Sequence, residues 1–498
     1  MANRQPEGPE KEWVPARLIP SGKMSQAEQE WRATSVLLAV MQIVPAFTRR
    51  VLADFDAPGG KQIATYTEVR LKDKQGKVHI PDGAICITRG KRRWRCLVEV
   101  KTGRAEIETE QVERYLELAR LHNFDAVLTI SNQLRSDPRE LPYSVNKVKV
   151  GKLQLIHVSW WRILTEAVIA DRFDAVEDTE QAWVLKELIR YLDDPRSGAS
   201  GLEDMSGAWV DVRKGARNQT LRASDEGVIS VARQWHQFTE YLALHLSQEL
   251  GVSVRNQLPR AKGPEERVKT IARQLADAGT MTGSFRVPNA VGAVAIIANL
   301  RERRVITSVE VPAPKDVKRP RAKVNWLLRQ LREAPDDLRI EARFANVRRT
   351  ASALLEDCRG RPDRLLLEDD PRREPRAFTV ELARTMGLKN GLGQGTFIGE
   401  TRKQAAHFYR DVVQNLSLPR PKAPRLREEE EIEPAPESDE APGRTSSEEP
   451  AERDVGRDGN GGVPRPGPEP QTDETQGDTS PFEQSFNPFW PPRPGNAD

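Results

Sequence analysis

The sequence predicts a mixed α/β fold, with a core in the order α-β-β-β-α-β followed by an α+β domain and a disordered C-terminal tail. Three observations predict it. Apolar residues recur at helical spacing near residues 25–44 and 106–122. The segments after each of these ranges carry alternating or continuous β-branched runs. From about residue 418 onward, apolar residues almost disappear until the last part of the chain.

The first helix begins at a capping box. Ser25 precedes Glu28 by three residues, and an apolar stripe that includes Leu37 and Met41 follows. Glu30 falls on the same face as this stripe, where a carboxylate is costly unless another group pairs with it. The pattern leaves two interpretations open: Glu30 belongs to a functional site, or it lies in a frayed and solvated first turn.

Four strands and a second helix come next. The predicted strands cover residues 62–71, 78–88, 94–102 and 124–131. A basic hairpin tip, residues 89–93, separates the second strand from the third. An acid-rich first turn starts the second helix, as the helix dipole favours, and this helix ends near His122. The strand after it is a continuous apolar run, which is typical of a strand buried on both faces.

Composition predicts five regions. These are a polar, disordered N-terminus (1–22), a first domain (23–195), a linker (196–221), an α+β domain of unknown function (222–417) and an acidic, Pro-rich disordered tail (418–498). The first domain is completed by a strand at 153–158 and two helices. The tail ends in an aromatic motif around Phe482 and Trp490, which is a candidate docking peptide for a protein partner.

Charge is distributed unevenly along the 498 residues. The net charge of the whole chain is +3, but residues 428–498 contain 19 acidic and 5 basic residues, so this segment carries −14 and residues 1–427 carry +17. A basic body indicates a polyanion partner such as DNA. The three cysteines and six histidines show no C-x-x-C or H-E-x-x-H spacing, which argues against a disulfide framework and a zinc enzyme. No apolar run approaches the ~20 residues that cross a bilayer, so we expect a cytoplasmic protein without a membrane partner.

One constellation of polar residues carries candidate chemistry. Asp82 lies between Pro81 and Gly83, where a bend would aim its side chain at the sheet edge. Strand alternation places Glu99 and Lys101 together on one face of the next strand. Two carboxylates with a main-chain carbonyl suit Mg²⁺ or Mn²⁺. Lys101 could then position or deprotonate an attacking water.

A pair of residues on the second helix extends this pattern. Gln111 and Tyr115 are four residues apart and therefore share one helical face, where they could orient a phosphate or the lysine. Together, the P-D, E-x-K and Q-x-x-x-Y patterns resemble the PD-(D/E)xK nuclease superfamily, particularly its RecB-like branch, over about residues 25–135. The resemblance implies a restriction-endonuclease-like fold for the first domain.

The resemblance also implies roles for individual residues. Asp82 and Glu99 would be metal ligands and Lys101 the catalytic lysine. Glu30 would supply a third carboxylate to the Mg²⁺ or Mn²⁺ ion, in competition with Glu68 of the preceding strand.

The predicted function is a metal-dependent DNA nuclease, for which DNA repair, phage defence and stress response all fit. Lys91, Arg92 and Arg93 at the hairpin tip are predicted to contact phosphates, and a basic loop at 315–323 is a second candidate. Two alternatives stay open. In one, Glu99 and Lys101 form a purely structural ion pair. In the other, the chain is a non-catalytic nucleic-acid-binding or stress-associated scaffold with a nuclease-like fold.

Overall fold

A mixed five-stranded sheet organises the first half of the chain. The computed structural model describes residues 18–19, 25–59, 62–135, 140–173, 176–199, 202, 204–258, 263–391 and 393–418. The strands of this half are β1 (Gln62–Thr67), β2 (Leu71–Lys72), β3 (Val78–His79), β4 (Gly83–Arg89), β5 (Arg92–Val100), β6 (Ala126–Ser131) and β7 (Gln154–Ser159). The sheet order is β1-β4-β5-β6-β7, and β2 and β3 form a separate ribbon. Strands β1, β4 and β5 are antiparallel, whereas β5, β6 and β7 run parallel.

Helices cover both faces of this sheet. They are α1 (Gln26–Ile43), α2 (Pro45–Val51), α3 (Thr109–Leu121), α4 (Lys147–Val150), α5 (Trp160–Arg172) and α6 (Thr179–Asp193). Helix α1 starts at the predicted capping box, with both reciprocal hydrogen bonds of Ser25 and Glu28 present. Leu37 of α1 shares one core with Val98 of β5, and Val112 of α3 shares a second core with Leu97 of the same strand. The predicted mixed α/β architecture is therefore confirmed.

The predicted strand over 78–88 is interrupted before Gly83, where β4 begins. At Gly83 the sheet approaches α1 so closely that an added Cβ would lie 2.4 Å from Leu38 Cδ1 and 2.9 Å from the Tyr66 carbonyl oxygen. A residue with a side chain would clash there. This contact fixes the start of β4, and with it the position of Asp82.

A seven-stranded antiparallel sheet forms the second half, in the order β13-β12-β14-β11-β10-β9-β8. Its strands are β8 (Arg255–Asn256), β9 (Thr280–Arg286), β10 (Val294–Asn299), β11 (Arg304–Pro312), β12 (Arg339–Phe344), β13 (Thr350–Leu354) and β14 (Pro375–Thr385). The helices are α7 (Trp209–Asn218), α8 (Glu226–Leu250), α9 (Pro264–Ala278), α10 (Pro320–Gln330), α11 (Leu355–Gly360) and α12 (Phe397–Asp411). Short 3₁₀ turns cover Pro195–Ser197, Pro362–Leu365 and Val413–Asn415.

The two halves share an apolar interface. Trp161 of α5 lies 4.8 Å from Tyr241 of α8 between ring centroids, and Gln248 donates to Thr165 Oγ1 at 2.8 Å. Leu134, which follows β6, is buried in the core of the second half. The described residues up to Leu418 accordingly form one compact unit.

The segment predicted as a linker, residues 196–221, contains a helix in the part that the structure describes (196–199, 202 and 204–221). It contains α7, and Trp209 at the start of this helix is fully buried against Phe397, with ring centroids 4.6 Å apart. The sequence analysis predicted a linker from composition and did not single out Trp209, which anchors α7.

The ends of the chain fall largely outside the described residues. This applies to the predicted tail after Leu418 and to the predicted N-terminal segment apart from residues 18 and 19, of which Ile19 is buried in the first core. Among the described helices, no single one is long and apolar enough to cross a membrane, and the one pair that meets both criteria together, α1 with α2, is bent by 117°.

Candidate active site

Asp82 is held at the break before β4 by hydrogen bonds on both its backbone and its side chain. Its carbonyl oxygen accepts from the backbone N–H of Glu68 at 2.9 Å. Its Oδ2 atom accepts from the backbone N–H of Val100 at 2.7 Å. The carboxylate of Asp82 is thereby fixed at the carboxyl end of β5, as the bend in the sequence predicted.

Glu99 is a buried carboxylate beside Asp82. Only 1% of the residue is exposed, and its Oε1 atom accepts from Lys101 Nζ at 2.7 Å. Among the described residues, its buried Oε2 atom has no N–H donor, and the Asp82 carboxyl is close enough to hydrogen-bond with the Glu99 carboxyl. Burial, and then the charge of Asp82, raises the pKa of Glu99 to about 8. Ionising Glu99 beside Asp82 therefore costs free energy unless a cation lies nearby.

Lys101 connects three carboxylates. Its ammonium donates to Glu99 and lies 3.7 Å from Glu30 Oε2. Burial lowers its pKa, but the charges of Glu99, Asp82 and Glu30 outweigh this effect and leave the pKa raised, so the amine is protonated at neutral pH. Its backbone is fixed as well, because Trp160 Nε1 donates to the Lys101 carbonyl oxygen at 2.9 Å.

Glu30 belongs to the site rather than to a frayed turn. It lies inside α1, and its Oε1 atom accepts weakly from the Thr102 backbone N–H at 3.5 Å and from Gln26 Nε2 at 3.3 Å. Glu68, the competing candidate, is exposed and contributes its backbone N–H to Asp82. Glu30 contacts the site through its ion pair with Lys101. In the part of the chain that the structure describes, no three metal-ligating side chains lie together.

Gln111 and Tyr115 also lie at this end of the sheet. Gln111 Nε2 donates to Tyr115 Oη at 3.1 Å, as their spacing on α3 predicted. Tyr115 is buried, and burial together with the charge of Glu99 raises its pKa to about 12. Because Tyr115 Oη accepts from Gln111, its own hydrogen is available to another acceptor at the site.

Three polar residues that the sequence analysis missed continue the site across the sheet. Thr129 is the register neighbour of Glu99 on β6, and His157 is the neighbour of Thr129 on β7. Thr129 Oγ1 lies 2.9 Å from Tyr143 Oη and 3.1 Å from His157 Nδ1. The signal that could have found them is a polar residue at the matching register position of two otherwise apolar parallel strands.

The directions of these hydrogen bonds follow from chemistry. His157 Nε2 lies 3.0 Å from the Gln133 carbonyl oxygen, which only accepts, so Nε2 carries the hydrogen. Burial lowers the pKa of His157 to about 4, so the ring is neutral at pH 7 and Nδ1 accepts from Thr129. Thr129 has then used its only hydrogen and must accept from Tyr143. Tyr143 thus donates its hydroxyl hydrogen to Thr129.

The hydrogen bonds of Tyr143, Thr129 and buried His157 predict that the folded protein loses stability in acid. Between pH 6.5 and about 4 the unfolded chain binds a proton at His157 and the folded chain does not, so stability from this group is present above pH 6.5 and is lost as the pH falls. The loss expected from His157 is about 3 kcal/mol. Urea denaturation at pH 7, 5.5 and 4.5 measures it.

A matched pair of variants assigns this effect. His157→Gln is expected to flatten the pH dependence, although His236, whose pKa burial also lowers to about 4, retains part of it. His407→Gln, at an exposed position, should leave the dependence unchanged. If the stability of His157→Gln changes with pH as much as that of the wild type, the assignment of His157 as a neutral ring that donates from Nε2 and accepts at Nδ1 is contradicted.

The basic hairpin tip lies at the other end of the sheet. Arg92 begins β5 and Glu99 lies near its end, so the two are roughly 24 Å apart at the ~3.4 Å rise of a strand residue. Arg92 donates to the Asp56 carbonyl oxygen at 3.0 Å. Lys91, Arg92 and Arg93 therefore cannot touch a phosphate held at Asp82 and Glu99, and a role in DNA binding stays a prediction for more distant phosphates.

Comparison of the chain with protein-family models, with curated proteins and with solved structures found no match. The site described above therefore has to be interpreted from its own chemistry.

Proposed function

We propose that this chain is a divalent-metal-dependent nuclease that hydrolyses the phosphodiester bonds of DNA. In this proposal the first half is a restriction-endonuclease-like domain with its site at the ends of β4 and β5. The order of α1, the strands β1, β4 and β5, α3 and β6 supports this assignment. So does the position of Gln111 and Tyr115 on the helix that follows β5.

The observation that carries the proposal is the carboxyl pair formed by half-buried Asp82 and fully buried Glu99. A structural ion pair needs one carboxylate for Lys101, yet this site holds Glu99, Asp82 and Glu30 around one ammonium. Ionising both Asp82 and Glu99 costs free energy unless a cation compensates, and without a cation the raised pKa of Glu99 keeps it protonated. Among the described residues, Glu99 Oε2 has no N–H donor that would offset this cost. A structural role alone gives no reason for this arrangement.

The donor set fits a hard divalent cation. Asp82 and Glu99 offer carboxylate oxygens, which Mg²⁺ and Mn²⁺ prefer, and Glu99 Oε2 is a buried oxygen without an N–H donor among the described residues. These two residues would hold the ion, with Glu30 acting through Lys101. A bound cation of this kind supplies an activated water and neutralises charge on the phosphoryl oxygens.

The chain's own residues supply positioning and charge. Lys101 carries a fixed positive charge next to the carboxylates, where it stabilises negative charge that develops on a phosphate oxygen. Tyr115 accepts from Gln111 and keeps its hydroxyl hydrogen for a phosphate oxygen or Glu99. The hydrogen-bonded chain behind Thr129 fixes the neighbouring wall of the site.

A cleavage assay tests the proposal. The purified full chain is incubated with circular and linear DNA, and in parallel with RNA, in the presence of Mg²⁺, Mn²⁺ or a chelator. We expect DNA cleavage that depends on the metal. Absence of cleavage in every metal condition, with DNA binding retained, would favour the non-catalytic scaffold instead. Cleavage of RNA alone would correct the substrate.

A further inference from the structure

A pocket of about 490 Å³ in the second half is lined by three arginines. Arg343 comes from β12, Arg348 from the turn between β12 and β13, and Arg376 from the start of β14. Asn346 and Thr350 are the other polar side chains that line it. Strand pairing brings these distant positions together, since Arg343 lies opposite Thr350 on one side and opposite the residue after Arg376 on the other.

No carboxylate lines this pocket among the residues that the structure describes. The nearby acids are already in ion pairs: Glu310 binds Arg343 at 2.7 Å, and Asp369 binds Arg349 at 2.7 Å. Arg348 and Arg376 have no ion pair within the described ranges. Arg348 and Arg376 therefore leave two positive charges at this pocket without an ion-pair partner among the described residues. The pocket therefore favours an anionic ligand.

We propose that this pocket, which we call the arginine pocket, binds the phosphate backbone of a nucleic-acid duplex through Arg348 and Arg376, since Arg343 is already paired with Glu310 and Glu341. Guanidinium groups bind phosphate oxygens in a bidentate manner, which makes arginine the preferred residue for such contacts. The choice of nucleic acid as the anion rests on the proposed function. The inference adds a second contact surface, far from the candidate active site in sequence, and gives the second half a role.

The apolar side chains of the pocket distinguish a duplex from other anionic partners. Phe344 is 4% exposed and Val347 is half-buried, so the pocket presents no exposed aromatic ring and only part of one aliphatic side chain. Single-stranded nucleic acid needs aromatic faces on which its bases stack. A bilayer surface needs exposed apolar side chains that insert between headgroups. A duplex backbone needs only cations, which this pocket supplies.

The test is a binding measurement on the full chain with a fluorescently labelled 20-base-pair DNA duplex, in chelator and at several salt concentrations. The double variant Arg348→Gln/Arg376→Gln should bind about 10-fold more weakly at low salt. The slope of log affinity against log salt should fall by about 1.8, since each phosphate contact contributes about 0.9. Both arginines are exposed, so folding should be unaffected.

The matched control is Arg339→Gln/Arg384→Gln, which removes the same charge from exposed arginines at the other end of β12 and β14. Both of these arginines are in ion pairs, with Glu381 at 3.7 Å and with Asp337. The control should keep wild-type affinity and slope. An equal loss in both double variants, no loss in the first, or a wild-type chain that does not bind the duplex would overturn the inference.

Two further measurements, of vesicle binding and of DNA cleavage, distinguish the remaining outcomes. Binding to phosphatidylglycerol vesicles that depends on Arg348 and Arg376, without binding to duplex, would overturn the inference in favour of a membrane surface. Because binding is measured in chelator, the result is independent of cleavage. A wild-type chain that binds the duplex through the arginine pocket but does not cut it with Mg²⁺ would overturn the proposed function alone.

Discussion

Replacing Lys101 by methionine is expected to lower the rate of DNA cleavage by about 10³-fold, the loss typical of removing one transition-state charge contact. Methionine keeps the apolar stem of the side chain and removes the ammonium, which lies 2.7 Å from Glu99 and 3.7 Å from Glu30. Initial rates on circular DNA with Mg²⁺ measure the effect. Circular dichroism and thermal unfolding of the same samples show whether the fold is retained.

Lys149→Met is the matched control for this variant. Lys149 lies in the same half of the chain and also pairs with two carboxylates, Glu113 at 2.9 Å and Glu117 at 3.0 Å. Its loss removes an equivalent charge without touching the site, so the cleavage rate should stay at the wild-type level. A Lys101→Met protein that cuts as fast as Lys149→Met would remove Lys101 from the mechanism.

Replacing Asp82 by asparagine is expected to abolish cleavage while leaving the metal-free protein at least as stable as wild type. The amide oxygen can still accept from the Val100 N–H, a bond of 2.7 Å in the wild type. The negative charge that raises the pKa of Glu99 is lost, however. We expect a gain of about 1 kcal/mol, or roughly 2 °C in Tm. Cleavage rates and thermal unfolding in chelator report the two effects separately.

Two companion variants identify the cause. Asp82→Ala removes the hydrogen-bond acceptor as well as the charge, and should lower Tm because the Val100 N–H loses its partner. Asp73→Asn removes a carboxylate that pairs with His79 at 2.8 Å outside the site, and should leave cleavage unchanged. A marked loss of stability in Asp82→Asn would show that the carboxylate serves the fold, against the role proposed for it.

The candidate site could be predicted where local patterns decide geometry. Strand alternation alone places Glu99 and Lys101 on one face, and the four-residue spacing of Gln111 and Tyr115 fixes their contact. The Pro-Asp-Gly bend correctly indicated that Asp82 would turn toward the neighbouring strand. Each of these predictions depends on residues that are close in sequence or on adjacent strands.

The features that the sequence did not indicate depend on register and on distant contacts. Thr129 and His157 meet only because β5, β6 and β7 pair in one particular register. Glu140 binds Arg267 across the two halves, a contact that links α9 to the segment that carries Tyr143. The sequence likewise showed no sign of helix α7, because Trp209 at its start is anchored by an aromatic contact with Phe397, which is distant in sequence.

The interface between the halves makes the integrity of the site a property of the whole molecule. Leu134 is buried in the second core, Trp161 contacts both cores, and Glu140 is held by Arg267 only a few residues before Tyr143. Loss of the second sheet would therefore destabilise the hydrogen bonds of Tyr143 and Thr129 beside Glu99. We therefore expect the two halves to unfold together, so that a loss of structure around the second sheet would also disturb the candidate site.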